Sequence, residues 1–275
     1  MRIPFIFWNL DKRPLQTDVA RLALEHDVKV LILAECSIEP AAMVAQLDAV
    51  GMNGFTYPES PAGTRTDLRL FVRGPETMLK HLEDDPNDHM TIRRLFPRTK
   101  NAIIVVAVHF QSKATFPEAD QAQLATRLRP KIEEIEKRYG VRRTIVVGDL
   151  NMNPFELGVI SSEGLHAMMT KQIARAGSRK VAGEERPFFY NPMWRFFGER
   201  GDGPPGTHYY PAGGKIIAFH WNIFDQVLVR PDLMDRLQEV RILDRIDAMP
   251  LLNDNGLPAN GIGSDHLPLY FALDL

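Results

Sequence analysis

Cysteine is almost absent from this chain: Cys36 is the one cysteine among 275 residues. A single thiol excludes an internal disulfide framework and fits a reducing compartment. Cys36 follows Glu35 at the end of an apolar run, where a buried structural thiol is expected rather than a nucleophile. Long hydrophobic runs are missing too. No window reaches the ~18 uninterrupted apolar residues that a membrane-spanning helix needs. The opening Met1-Arg-Ile-Pro-Phe-Ile-Phe-Trp8 is too short for a signal peptide's apolar region, so a cytoplasmic location is expected. Neither sign of charge dominates, because 33 Lys and Arg against 35 Asp and Glu leave a net −2. That balance argues against a generally basic nucleic-acid coat and leaves room for a local basic groove. Repeats and low-complexity tracts are also lacking. What is present is an apolar content of 44%, enough to fill a sizeable core, and a length that suits one α/β domain over residues 1–275.

The most telling stretch is Thr144-Ile-Val-Val-Gly-Asp-Leu-Asn-Met-Asn-Pro154. Four β-branched residues from Thr144 to Val147 predict a buried strand, and Gly148 ends the run while letting the backbone pass close to something else. Asp149 and Asn151 then emerge at the strand's end, two apart and so on one face while extended geometry lasts. They read either as an acid and an amide delivered to a site or as an ordinary turn whose side chains bond their own backbone. Pro154 suits the first turn of a following helix.

Other strand ends carry similar residues. Strands are predicted over Ile3–Trp8 and Lys29–Ala34 with a helix Leu15–Asp27 between them, starting a layered α/β arrangement. Asn9 and Asp11 end the first strand and Glu35 the second, three oxygen-bearing side chains of the kind Mg²⁺ prefers. A helix Glu39–Val50 and a turn at Gly51–Gly54 come next. After a loop at Ser60–Thr64, a strand Leu68–Arg73 is expected to pair with Thr77–Leu82, and Asp84–Asp88 breaks the chain. Strand Ala102–Val108 delivers His109, followed by Phe-Gln-Ser-Lys113. Pro117–Tyr139 has helical spacing with Gly140 as its stop, and Pro130 predicts a kink or break near Leu128. The segment 155–206 is irregular. Its Lys171, Arg175, Arg179 and Lys180, with the aromatic run Pro187–Phe197, read as a nucleic-acid grip, as a substrate lid, or more plainly as a surface loop before an aromatic tuck. A turn at Gly201–Gly206, a short strand Thr207–Tyr210 and a hairpin tip at Gly213-Gly214 lead to Phe219–Arg230, the expected penultimate strand region. Asp225 in it is costly unless bonded. His208 and His220 match no compact zinc spacing, so no structural zinc site is expected. Asp265 and His266 precede a final apolar strand.

In this order, Trp8-Asn9-Leu10-Asp11, Leu33-Ala34-Glu35, Gly148-Asp149-Leu150-Asn151 and Gly263-Ser-Asp-His266 resemble the endonuclease/exonuclease/phosphatase superfamily, also called DNase I-like, over nearly the whole chain. The resemblance implies a four-layer sandwich: two mainly antiparallel sheets packed face to face with helices outside. It implies Glu35 as principal ligand of Mg²⁺ or Mn²⁺, helped by Asp265, Asn9 and Asp11. Asp149 would orient or deprotonate water, with Asn151 fixing water and phosphate. His266, steered by Asp225, would bond a phosphoryl oxygen or serve as the base. His109 matches a histidine that faces the phosphate, and Asp67 would orient a catalytic histidine. The implied activity is metal-dependent hydrolysis of a phosphodiester by in-line water attack, with DNA or RNA the leading substrate and the protein a monomer. The runner-up is a phosphomonoesterase on a small metabolite or lipid headgroup, and a third reading is a non-catalytic binding module. Several carboxylates at one rim are expected to repel one another and strain the metal-free fold.

Overall fold

The structure is a computed structural model that describes all residues except 62–66, 86, 88–89, 98–101, 199–202, 212, 215, 217 and 260–262. The loop Ser60–Thr64, the break Asp84–Asp88 and the turn Gly201–Gly206 therefore lie partly outside the described residues.

Two large sheets dominate. One runs in the order Leu237–Ile242, Leu269–Asp274, Arg2–Asn9, Val30–Ala34, Arg69–Arg73, Phe55–Thr56. The other runs Leu79–Asp84, Met90–Leu95, Ile103–His109, Thr144–Asp149, Asp225–Val229, Phe189–Tyr190, Ala167–Met168. Most neighbouring pairs are antiparallel. The parallel ones join Arg2–Asn9 to Val30–Ala34, Ile103–His109 to Thr144–Asp149, and the two short strands at the second sheet's edge.

Period-two alternation explains the layering. In the second sheet Val105, Ala107, Ile145, Val147 and Val227 join the core shared with Phe5, Phe7, Ile32 and Phe271 of the first sheet. Their alternates Ile104, Val106, Val146 and Leu228 meet Leu124, Leu128, Ile132 and Ile135 of the long helix. Strands buried on both faces need unbroken β-branched runs, which is what Thr144–Val147 supplies. The helices Gln16–Glu25 and Pro40–Ala49 bury Val19, Leu22, Met43 and Leu47 against the outer face of the first sheet. The result is the sandwich of two mainly antiparallel sheets with helices outside. No helix among the described residues is long and apolar enough to cross a membrane.

Several local expectations change. Thr77–Leu82 does not pair with the strand after Leu68; Leu79–Asp84 lies at the edge of the opposite sheet and pairs with Met90–Leu95. The long helix runs from Glu118 to Tyr139 without a break at Pro130. Pro154 sits in a turn ahead of the helix Leu157–Ile160, not in that helix's first turn. Asp225–Val229 is not the penultimate strand, because Leu237–Ile242 and two short strands follow before Leu269–Asp274. Cys36 is a buried free thiol, its pKa raised by burial.

Candidate active site

The site forms where strand ends of both sheets meet. In the second sheet His109, Asp149 and Asp225 occupy one row across three adjacent strands: His109 is in register with Asp149, and Asp149 with Asp225. Gly148 makes this row possible. At φ 148° it lies so close to the neighbouring strand that a Cβ would sit 1.9 Å from the Val108 carbonyl oxygen.

The first sheet supplies Asn9, Asp11 and Glu35. Asp11, Glu35 and Asn151 adopt left-handed φ of 49°, 45° and 47°, sharp exits that turn each side chain off the end of its strand. Asn9 is buried and donates from Nδ2 to Asp149 Oδ2 at 3.2 Å and to Glu35 Oε1 at 3.4 Å, while its Oδ1 accepts from the Asp11 N–H at 3.0 Å. It therefore links the two sheets. Arg13 ties the two flanking loops by donating to Asp11 Oδ2 at 3.2 Å and to the Gly263 carbonyl at 2.7 Å.

Two histidines face the buried Asp149. The Nε2 atoms of His109 and His266 each lie 3.9 Å from Asp149 Oδ2. Behind them, His109 Nδ1 is 2.7 Å from Asp67 Oδ2 and His266 Nδ1 is 2.8 Å from Asp225 Oδ2. The Trp8 indole N–H donates to the His266 carbonyl at 2.8 Å, fixing that loop. Asn151 donates to the Phe110 carbonyl at 2.8 Å, and its own N–H caps Asp149 Oδ1 at 2.8 Å.

Electrostatics follow from this crowding. Burial opposes charge on His109, but the carboxylates of Asp67 and Glu35 and the nearby Asp149 raise its pKa to about 10. His266 is likewise buried yet raised to about 10 by Asp225, Asp149 and Asp265. Glu35 is lowered to about 2, first by its bond with His109. Asp265, despite partial burial, is lowered to about 2 by His208 and His266. Burial pushes Asp149 up, against the pull of the flanking histidines.

The sequence-expected residues thus converge. Asp11, Glu35, His109, Asp149, Asn151, Asp265 and His266 line one cavity of about 520 Å³, with Asn9 and Asp225 buried immediately behind it. Among the described residues, two clusters have ligand-capable atoms within 4.8 Å of one another: Asp149, Asp225 and His266, and His208, Asp265 and His266. His208, considered from the sequence only as a zinc ligand with His220 and set aside on spacing, also lines the cavity. Its Nε2 is 3.6 Å from Asp265 Oδ2 and its ring is 4.6 Å from that of His266, contacts that only the fold reveals. The basic segment stays away. Lys171 and Arg175 pair with Asp235, Arg179 donates to His166, and none of the four basic residues lines the cavity. Phe188, Phe189 and Phe196 are core residues, so the surface loop with an aromatic tuck is the arrangement observed.

Known structures place this geometry in context. The endonuclease domain of TRAS1, a telomere-specific non-LTR retrotransposon, is 15% identical, with 99% of each chain covered and a TM-score of 0.56. D. rerio TDP2 complexed with a single strand DNA product is 16% identical, covering 100% of this chain and 99% of that one, at a TM-score of 0.57. An AP endonuclease from Archaeoglobus fulgidus is 13% identical, covering 99% of this chain and 100% of that one, at 0.56. At these identities the likeness is one of fold. No curated protein sequence matches the chain. The profile of the Endonuclease/Exonuclease/phosphatase family matches residues 6–266, the span from the first strand to the last site histidine, and the chain belongs to that family.

Proposed function

We propose that residues 1–275 act as one catalytic domain, a divalent-metal-dependent phosphodiester hydrolase whose substrates are nucleic-acid strands. The observation that carries this reading is Asp149, buried between two imidazoles at 3.9 Å each, its pKa pushed up by burial. A carboxylate so raised takes a proton from water more readily than an exposed one, and Asp149 orients and deprotonates the attacking water. His109 and His266, raised to about 10, are imidazolium at neutral pH and so donate to phosphoryl oxygens instead of serving as bases. Asn151 holds the water and the phosphate beside them.

The donors are of the kind a hard cation takes. Asp11, Glu35 and Asp265 line the cavity with carboxylates, Glu35 and Asp265 are held ionised with pKa values of about 2, as ligands must be, and of the three Asp265 is the one that belongs to a group, among the described residues, whose ligand atoms lie within 4.8 Å of one another. These residues would hold Mg²⁺ or Mn²⁺, which when bound supplies charge neutralisation at the phosphoryl group and a positioned water. Asn9, engaged with Glu35, Asp149 and the Asp11 N–H, aligns the carboxylates.

The nuclease reading draws support from neighbours that include two endonucleases and a protein complexed with single strand DNA. One observation favours the phosphomonoesterase reading. Among the described residues lining the cavity, Lys113 is the one lysine or arginine, and it is paired with Glu156. The test is a substrate panel with Mg²⁺ or Mn²⁺: a bis-aryl phosphate and single-stranded DNA are hydrolysed faster than a mono-aryl phosphate. Asp149→Asn lowers kcat by about a hundredfold or more on the diesters while the circular dichroism spectrum is unchanged. Preference for the monoester would move the reading to a phosphomonoesterase, and full activity of Asp149→Asn would remove Asp149 from the chemistry.

A further inference from the structure

One wall of the cavity takes no part in the phosphoryl chemistry. Phe155 and Phe219 line it, with ring centroids 5.1 Å apart and planes tilted by 52°. Phe197 at 5.6 Å and Trp194 at 6.5 Å pack against Phe155 from outside the lining and hold it in place. Phe219, by contrast, is 57% exposed.

A single exposed phenylalanine is ordinary on a protein surface. An exposed ring braced by a second, which two more rings brace in turn, in the lining of a cavity that also holds Asp149, is a preformed aromatic surface. The cavity's 520 Å³ falls within the range of about 300–1,000 Å³ typical of small-ligand pockets. Its charges offer little to a long polyanion, which needs a row of phosphate contacts from lysine and arginine. Affinity for a strand must then come from something other than its backbone, and aromatic faces supply it by stacking on bases.

We propose that Phe155 and Phe219 form a stacking subsite for the nucleobase adjoining the phosphate to be cleaved. The subsite rests on the phosphodiesterase reading above and narrows it: the enzyme takes unpaired, unstacked nucleotides, a single strand or its end, because a paired base cannot present its face. Phe219 is the contact and Phe155 its support.

Calorimetry of thymidine 5′-phosphate against 2-deoxyribose 5′-phosphate, with Mg²⁺ present, reads the subsite without turnover. Wild type binds the nucleotide about tenfold more tightly than the base-free sugar phosphate, the scale of one base–aromatic stack. Phe219→Ala removes that preference and leaves the affinity for the sugar phosphate unchanged, and Phe219→Trp restores it. Equal affinities in wild type, or an equal loss for both ligands in Phe219→Ala, would overturn the subsite. Hydrolysis of dithymidine phosphate by the same preparations keeps the two claims apart. Cleavage without base preference leaves the phosphodiesterase and removes the subsite, whereas base preference without cleavage of any diester removes the phosphodiesterase and leaves a nucleotide site.

Discussion

The two histidine–aspartate pairs on either side of Asp149 share a design and differ in their surroundings. In each, a carboxylate stands behind Nδ1, at 2.7 Å for His109 with Asp67 and 2.8 Å for His266 with Asp225. In each, the partners come from opposite sides of the sandwich. His109 ends a strand of the seven-stranded sheet and Asp67 leads into a strand of the six-stranded sheet; Asp225 lies in the former and His266 leads into the latter. Burial is where they part. The Asp225 side chain is 0% exposed and the Asp67 side chain 42%. Each pair holds its imidazole charged to about pH 10, and the difference in burial bears on what breaking each pair would cost the fold.

The largest expected difference is in stability. Asp225→Ala leaves the His266 imidazolium buried without its counterion and should cost about 3–5 kcal/mol in urea unfolding. Asp67→Ala removes a partly solvated partner and should cost no more than about 1 kcal/mol. Equal costs would mean that burial is not what separates the pairs. Activity should suffer in both variants, since each loses the group that orients and charges a histidine facing Asp149.

A pH series sharpens the contrast. His266 and His109 are raised to about 10 in the folded protein. A raised histidine contributes stability that is complete below the unfolded pKa of about 6.5 and is lost as pH climbs through the folded value. The gap in melting temperature between wild type and Asp225→Ala, measured in EDTA, should be widest near pH 6 and close toward pH 10. For Asp67→Ala the gap starts small, closes over the same window and shrinks further in high salt, which screens a half-exposed pair more than a buried one. A gap that widened with rising pH would mean that His266 is neutral at pH 7, and its role as donor would fail.

Much of this candidate site was legible because its residues lie at strand ends, and strand ends announce themselves. An unbroken β-branched run stopped by Gly148 points straight at Asp149, and a lone acid inside an apolar strand at Asp225. The resemblance then paired Asp225 with His266. What escaped had physical causes. Met90–Leu95 went unread because its buried residues include Thr91 and Arg93, which break the apolar pattern of an interior strand. Leu237–Ile242 carries a register shift between Leu237 and Glu239, so its alternation fails to keep period two. The hairpin of Ser178–Val181 with Glu184–Pro187 is polar on both strands and buries neither face. His208 reaches the site through a bridge to His266 across 58 residues of sequence and through its contact with Asp265, neither of which a spacing rule contains.

The smallest effect tests the expectation that crowded carboxylates strain the metal-free protein. Repulsion among Glu35, Asp149, Asp225 and Asp265 would make Glu35→Gln stabilising in EDTA. The two imidazoliums alter that balance. Glu35 Oε1 lies 3.4 Å from His109 Nε2 and accepts from Asn9, and its pKa falls to about 2, so its negative charge is welcome where it stands. A depressed carboxylate contributes stability above its unfolded pKa and loses it as pH falls through the folded value. At neutral pH Glu35→Gln should then lower the metal-free melting point slightly, by less than about 1 kcal/mol given a side chain that is 24% exposed. With Mg²⁺ the difference grows. Wild type at about a hundred times its Kd gains roughly 2.7 kcal/mol, and a variant without its principal ligand gains much less. Differential scanning fluorimetry in EDTA and in graded Mg²⁺ measures both quantities. A higher metal-free melting point for Glu35→Gln would show that repulsion wins over His109 after all, and an undiminished Mg²⁺ shift would place the cation on Asp265 and its neighbours without Glu35.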